Sequence, residues 1–193
     1  MDARYDTIRL TPLDENARGG EDGRMEIKIR RWKLEDKVDL AKSLNDPDVL
    51  NNLRDGLPYP YTPKDAEEYI RAMLAAPEDK VFAFAIALDG KVIGSISVCR
   101  CENIHSRSAE MGYYIGKLYW GKGYATESVR QTVKYVFENS DILRIFAEPF
   151  SRNVASCRVL EKAGFSLEGV LRRNAVKNGE VLDMKMYAVV REI

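Results

Sequence analysis

The stretch from residue 109 to residue 147 constrains this chain most. Residues 109–115 read as a strand. Residues 123–139 set Val129, Val133, Val136 and Phe137 along one helical stripe, and residues 142–147 read as a second strand. Two strands joined through a helix should run parallel, with a right-handed crossover. Any fold for this chain must therefore carry a parallel pair inside its sheet.

The rest of the sheet should be antiparallel. Residues 80–88 and 91–100 are strand-like and meet at Asp89-Gly90, a short-hairpin signal. Two further strands, near residues 166–172 and 181–190, flank Asn178-Gly179. Met25, Ile27 and Ile29 alternate in an opening strand. A short helix over 34–44 should stop before Asn45-Asp46-Pro47. Thr62-Pro63-Lys64-Asp65 starts a clearer one, with a cap, a first-turn proline and a first-turn acid. Its stripe is Ala66, Tyr69, Ile70, Met73 and Leu74. Residues 51–61 look like an ordered loop. A last helix over 153–163 is closed by Gly164. The expectation is an α/β (α+β) fold: a mixed, mostly antiparallel sheet with a central strand–helix–strand crossover and helices on both faces. Residues 1–24 read as a weakly ordered extension with a possible strand at 5–10, and residues 25–193 as a single domain.

Composition narrows the function. Thirty basic and thirty acidic residues cancel, which argues against a nucleic-acid partner. The longest apolar run, residues 81–88, is far below the roughly 20 residues of a membrane span, and no signal peptide is readable. Cys99, Cys101 and Cys157 form no paired framework, which fits reduced thiols in a cytoplasm. Cys99 and Cys101 read as packing residues, and Cys157 as core-facing. The single histidine, His105, sits in a turn and leaves no basis for a zinc site or a histidine triad.

Between the crossover's first strand and its helix stands Trp120-Gly121-Lys122-Gly123-Tyr124-Ala125-Thr126. Glycines let a backbone approach an anion, and a helix N-terminus supplies free amides and a favourable dipole. This is the geometry of a phosphate site, though such a turn can also bind nothing. A nucleoside triphosphate would need Ser or Thr after Gly121-Lys122 to ligate magnesium, and Gly123 stands there. A dinucleotide turn would need a third glycine where Thr126 stands, and would come at the start of a doubly wound sheet. Coenzyme A needs only amides for its pyrophosphate. The segment 120–125 resembles the phosphate motif of the GNAT superfamily of N-acetyltransferases, with Trp120 in place of the usual Gln or Arg. Residues 109–113 with Thr126-Glu127, Asn153 and Ser156 with Leu160–Phe165, and Leu57–Thr62 with Asp65-Ala66-Glu67 resemble its RimJ/RimL-like branch, the ribosomal-protein N-terminal acetyltransferases.

The resemblance implies acetyl-CoA as co-substrate, no metal, and direct transfer to a primary amine in a ternary complex. The acceptor would be a small molecule or a peptide N-terminus, and a homodimer is admitted. It implies cofactor contacts at Ile115, Gly121, Lys122, Gly123, Tyr124, Ala125, Thr126 and Asn153. Acyl transfer needs a base for the ammonium, an oxyanion stabiliser and a proton for the thiolate. Glu110 and Glu148 are the candidate bases and Ser156 the candidate acid. Each also has an ordinary reading: solvated strand-end carboxylates, and a first-turn serine. Asn153 also reads as a helix cap. Leu160 stands where some family members carry a tyrosine, and Ala175 where some offer a glutamate. Asn51, Asn52, Tyr59 and Tyr61 would wall the amine pocket, or the tyrosines pack over the sheet edge. A CoA-binding sensor without turnover and a nucleotide-binding module are the rival functions.

Overall fold

The computed structural model describes residues 26–192. The lead-in over 1–24, with its expected strand at 5–10, lies outside the described residues. The strands are β1 (Ile27–Arg30), β2 (Val81–Leu88), β3 (Lys91–Arg100), β4 (Ser108–Ile115), β5 (Arg144–Ala147), β6 (Ser166–Lys177) and β7 (Glu180–Val190). The helices are α1 (Lys37–Leu44), α2 (Pro47–Leu50), α3 (Pro63–Ala75), α4 (Tyr124–Glu138) and α5 (Val154–Lys162). The strands form one sheet in the order β1-β2-β3-β4-β5-β7-β6. Among the described residues, β4 and β5 pair in parallel and every other pairing is antiparallel.

Local chemistry explains the elements. Asp89 and Gly90 both take positive φ, 49° and 82°, as do Asn178 and Gly179 at 51° and 80°. Those are the dihedrals a two-residue hairpin turn demands. Thr62 and Asp65 form a full capping box on α3, with Pro63 at the first helical position. The two sheet faces carry separate cores. Ile96, Val98, Met111, Ile145 and Tyr187 pack under α4 and α5. Trp32, Leu40, Ala85, Val92 and Ile70 pack under α1 and α3.

Several expectations change. Residues 47–50 form the short α2, started by Asp46 as cap and Pro47 as first residue. β6 runs on to Lys177, because residues 175–177 pair with 180–182 of β7 beyond a register shift. Leu74 is exposed. On α4, Ser128 and Thr132 are buried where Val133 and Phe137 are only partly so. Their hydroxyls bond the carbonyls one turn back, at 2.9 and 2.8 Å, so their burial leaves no polar atom unmatched. Cys157 faces the core as expected, whereas Cys99 is exposed, opposite Glu110 across the β3–β4 ladder.

Two strand glycines give a paired test. A Cβ on Gly94 would sit 2.2 Å from the Tyr114 carbonyl oxygen, whereas one on Gly112 meets nothing within 4 Å. Gly94→Ala should lower stability by at least about 2 kcal/mol in denaturant unfolding, because backbone must move. Gly112→Ala should stay within about 0.5 kcal/mol of wild type.

Candidate active site

The parallel pair is short. Ser108, Ala109 and Glu110 face Arg144, Ile145 and Phe146, and the pairing ends there. Beyond it β4 stays with β3, through to Ile115 opposite Gly94. The chain leaving β5 stays with β7 instead. Lys185 N–H donates to the Pro149 carbonyl, Phe150 bridges to Met184, and Ser151 N–H donates to the Asp183 carbonyl. Each strand follows its own antiparallel partner, and the sheet splits between them. Among the described residues, the inner edge of 111–115 has no strand partner.

At the far end of the split lies the glycine turn. Gly121 and Gly123 take φ of 73° and 82°, and Cβ atoms there would meet nothing within 4 Å. Gly123 is the N-cap of α4 and supplies no side-chain cap, whereas Asp46, Thr62 and Asn153 cap α2, α3 and α5. The first helical bond runs from Glu127 N–H to the Gly123 carbonyl at 3.1 Å. The amides of Tyr124, Ala125 and Thr126 precede it and have no intrahelical acceptor. Trp120 turns its indole N–H onto the Ile115 carbonyl at 2.6 Å, fastening the turn to the strand. Lys122 rests its ammonium over the Tyr119 ring, 5.8 Å from the centroid.

Strand alternation places Glu110 and Phe146 on the α1–α3 face, and Glu148 follows Phe146 by two residues. The two carboxylates thus meet at the start of the split. Burial and the neighbouring Glu110 carboxylate hold the Glu148 carboxyl above its ordinary range, with Arg54 partly offsetting them. Arg54 donates from Nη1 to one Glu110 oxygen at 3.5 Å and from Nη2, closer, to the other. On the opposite face, the Tyr113 hydroxyl bonds Ser156 Oγ at 2.8 Å and donates to the Ser156 carbonyl at 3.2 Å. Burial raises the pKa of Tyr113 well above that of a free tyrosine, so this hydroxyl keeps its proton. Asn153 Oδ1 accepts from Ser156 N–H at 3.1 Å, so its carbonyl end serves as the α5 cap.

Beside the split opens a cleft of about 470 Å³, lined by Asn51, Asn52, Asp48, Trp120, Arg152 and the β6–β7 tip. Asn51 and Asn52 line it. Tyr59 is 66% exposed and does not line it. Tyr61 is 3% exposed and packs in the α1–α3 core. Asn45 fixes its backbone through bonds to both its N–H and its carbonyl. Burial, with Tyr69 nearby, pushes the Tyr61 hydroxyl up to about 12. Tyr61 is thus a core residue and not a pocket wall, because its backbone is pinned to α1 before α3 begins.

A family model described as an acetyltransferase (GNAT) domain matches residues 26–166, a range that takes in the split, the turn and α5. The chain belongs to the GNAT acetyltransferase family. It is 38% identical over 117 residues to a probable N-acetyltransferase of Bacillus subtilis (strain 168), YjcK; that match covers 61% of this chain and 65% of the relative. This chain therefore spans just under two thirds of that relative's length. A GNAT acetyltransferase from Bacillus anthracis superposes with a TM-score of 0.73 at 26% identity, covering 86% of this chain and 96% of its own. RimJ of Mycobacterium smegmatis, solved with a CoA-disulfide, gives a TM-score of 0.77 at 24% identity, covering 85% and 81%. That last likeness speaks for the fold.

Within this GNAT chain, sequence reasoning missed Tyr113, Arg54 and the clasp at the cleft. Tyr113 carried a usable signal: it shares the buried strand face of Ala109 and Met111 yet bears a hydroxyl that needs a partner. Arg54 carried none, since nothing in a loop sequence says which carboxylate it will meet. At the clasp, Lys177 pairs with Asp55 at 2.5 Å and Asn178 with Asn51 at 3.2 Å, tying the hairpin tip to the loop after α2.

Glu148 gives a stability test. Because folding raises its pKa above the ordinary 4.5, its contribution is fully present in acid. It is lost as the pH rises through the folded value. Glu148→Gln should therefore raise the melting temperature at neutral pH, with the gain vanishing in acid. An equal or lower melting temperature at neutral pH would contradict the assignment of a strained, partly desolvated carboxylate.

Proposed function

We propose that this chain, through residues 25–193 acting as one domain, transfers an acetyl group from acetyl-CoA to a primary amine by direct attack in a ternary complex. The observation that carries this is the split between β4 and β5. It has an uncapped amide turn at one end, carboxylates on one face and a hydroxyl pair on the other. RimJ of Mycobacterium smegmatis, which shares the fold, was solved with a CoA-disulfide, in keeping with a CoA-type co-substrate. The pyrophosphate would lie on the amides of residues 121–126 with Lys122 beside it. The pantetheine arm would pass Ile115 and the free edge of β4, and the Asn153 amide nitrogen would reach it from α5.

The acceptor arrives as an ammonium and must lose a proton before its lone pair can attack. Glu148, whose raised pKa makes it a better base than an ordinary carboxylate, takes that proton. The nitrogen adds to the thioester carbon, and the C–S bond breaks as the carbonyl re-forms. The thiolate takes a proton from Ser156, the surplus proton on the acylated nitrogen passes through water back to the serine, and Glu148 releases its own proton to solvent. Asn51 and Asn52 on the cleft would orient the acceptor.

The turn can be tested without touching its glycines, whose positive φ would strain any replacement. Thr126→Asp puts an anion in the first turn of α4. A helix end gains about 0.3–1 kcal/mol from that, yet a bound pyrophosphate would be repelled. The variant should melt no lower than wild type and bind acetyl-CoA at least about tenfold more weakly in calorimetry with EDTA present. Unchanged binding, or binding that needs magnesium, would remove the turn from the site.

Turnover separates the catalytic groups. Glu148→Gln should lower the rate by about 10²–10⁴ and move the pH at which it saturates upward. Ser156→Ala should cost about tenfold in kcat with little change in KM for acetyl-CoA. Free thiol released from acetyl-CoA is the readout. Binding without thiol release for any amine would make the chain a CoA-binding sensor.

A further inference from the structure

Charges around the cleft are mostly matched within the protein. Lys177 pairs with Asp55, Arg152 with Glu180, and Lys117 with Asp48 and Asp46. At the split Arg54 pairs with Glu110, and Glu148 has no ion pair among the described residues. Arg54 spans both oxygens of Glu110, and its side chain is 67% exposed. It stands on the loop between α2 and α3, outside both cores. Next to Glu110 on the same strand face, a Cβ on Gly112 would meet nothing within 4 Å, so no side chain fills the position beside the pair.

We infer that Arg54 sets the charge of the acceptor: one ammonium group is taken, and a second is not. This rests on the acetyl-transfer reading above. With Arg54 covering Glu110, one carboxylate, Glu148, is left to meet an incoming cation and take its proton. A second ammonium near the first finds the guanidinium, not a counter-charge, and must lose its water without recompense. Monoamines, and N-termini without an adjacent lysine, fit this arithmetic. Polyamines do not.

The test is kcat/KM from thiol release, for putrescine against butylamine and for a Ser-Lys against a Ser-Ala peptide. Wild type should favour the singly charged member of each pair. Arg54→Gln frees Glu110 and should move each ratio toward the doubly charged member by roughly fivefold, the scale of one exposed ion pair. High salt should shrink that shift, which a purely structural role for Arg54 would not produce. Arg54→Lys keeps the charge and should keep the wild-type ratio. A wild type that already prefers putrescine and Ser-Lys overturns the inference. So do unchanged ratios in Arg54→Gln, or an Arg54→Lys that behaves like Arg54→Gln. In all three cases acetyl transfer still stands. Absence of thiol release from wild type with every amine overturns the acetyl-transfer reading itself.

Discussion

The short parallel pairing of β4 with β5 is the constraint on which the rest of the site depends. Parallel strands are normally stabilised by continuing side by side between layers of helices. Here the pairing stops at Glu110 and Phe146, and both strands are held by antiparallel neighbours. β3 keeps β4 to Ile115, and β7 keeps residues 149–151. Because each arm is anchored on its outer side, the gap between them does not collapse. Backbone groups that would be costly to bury without a partner are left along an open edge. A sheet that splits in this way offers an extended, amide-bearing ligand a place where a strand would otherwise be.

That split also sorts the chemistry by face. β4 alternates, so Glu110 and Tyr113 are forced to opposite sides of the sheet. The carboxylate side carries the Arg54–Glu110 pair, and the hydroxyl side looks onto α5. A base and an acid set on opposite faces cannot neutralise one another by direct hydrogen bonding. Glu148 is raised by burial and by Glu110, while Tyr113 stays protonated and bonds Ser156. Under the proposed reaction, the two faces would hold a proton acceptor and a proton donor at the same time, which acyl transfer from a thioester to an amine requires.

What the sequence disclosed followed from local rules. The hairpins at Asp89-Gly90 and Asn178-Gly179, the Thr62–Asp65 box and the crossover were all legible, because each is decided within a few residues. The turn was legible for the same reason. What stayed hidden depended on distant partners. Tyr61 and Tyr59 are nearly adjacent in sequence, yet one is buried and the other exposed. Asn45, sixteen residues away, pins the backbone of the first. The full length of β6 depends on pairing across a register shift with β7. Cys99, which shares a strand face with Cys101, read as a packing residue, but it is exposed and lies opposite Glu110. A charged partner such as Arg54 is set by where a loop is carried, which no window of sequence contains.

Trp120 shows how one departure from a family pattern can be absorbed. A Gln or Arg at that position would bring polar or cationic reach to the phosphate turn. The indole brings a single N–H and spends it inward, on the Ile115 carbonyl. That bond caps the end of β4 and fixes the turn relative to the split. The two glycines, already in the left-handed region, and the exposed first amides of α4 are therefore held in one arrangement before any ligand arrives. The turn gives up a side-chain charge and gains preorganisation, so the proposed anion binding would fall to backbone amides, the helix dipole and Lys122. A fixed row of amides suits a pyrophosphate, whose charge is spread over several oxygens, better than a single flexible cation does. The same indole, 44% exposed, also forms one wall of the cleft beside Asn51 and Asn52. One side chain thereby sets the distance between the turn that would hold the cofactor and the cleft that would hold the amine.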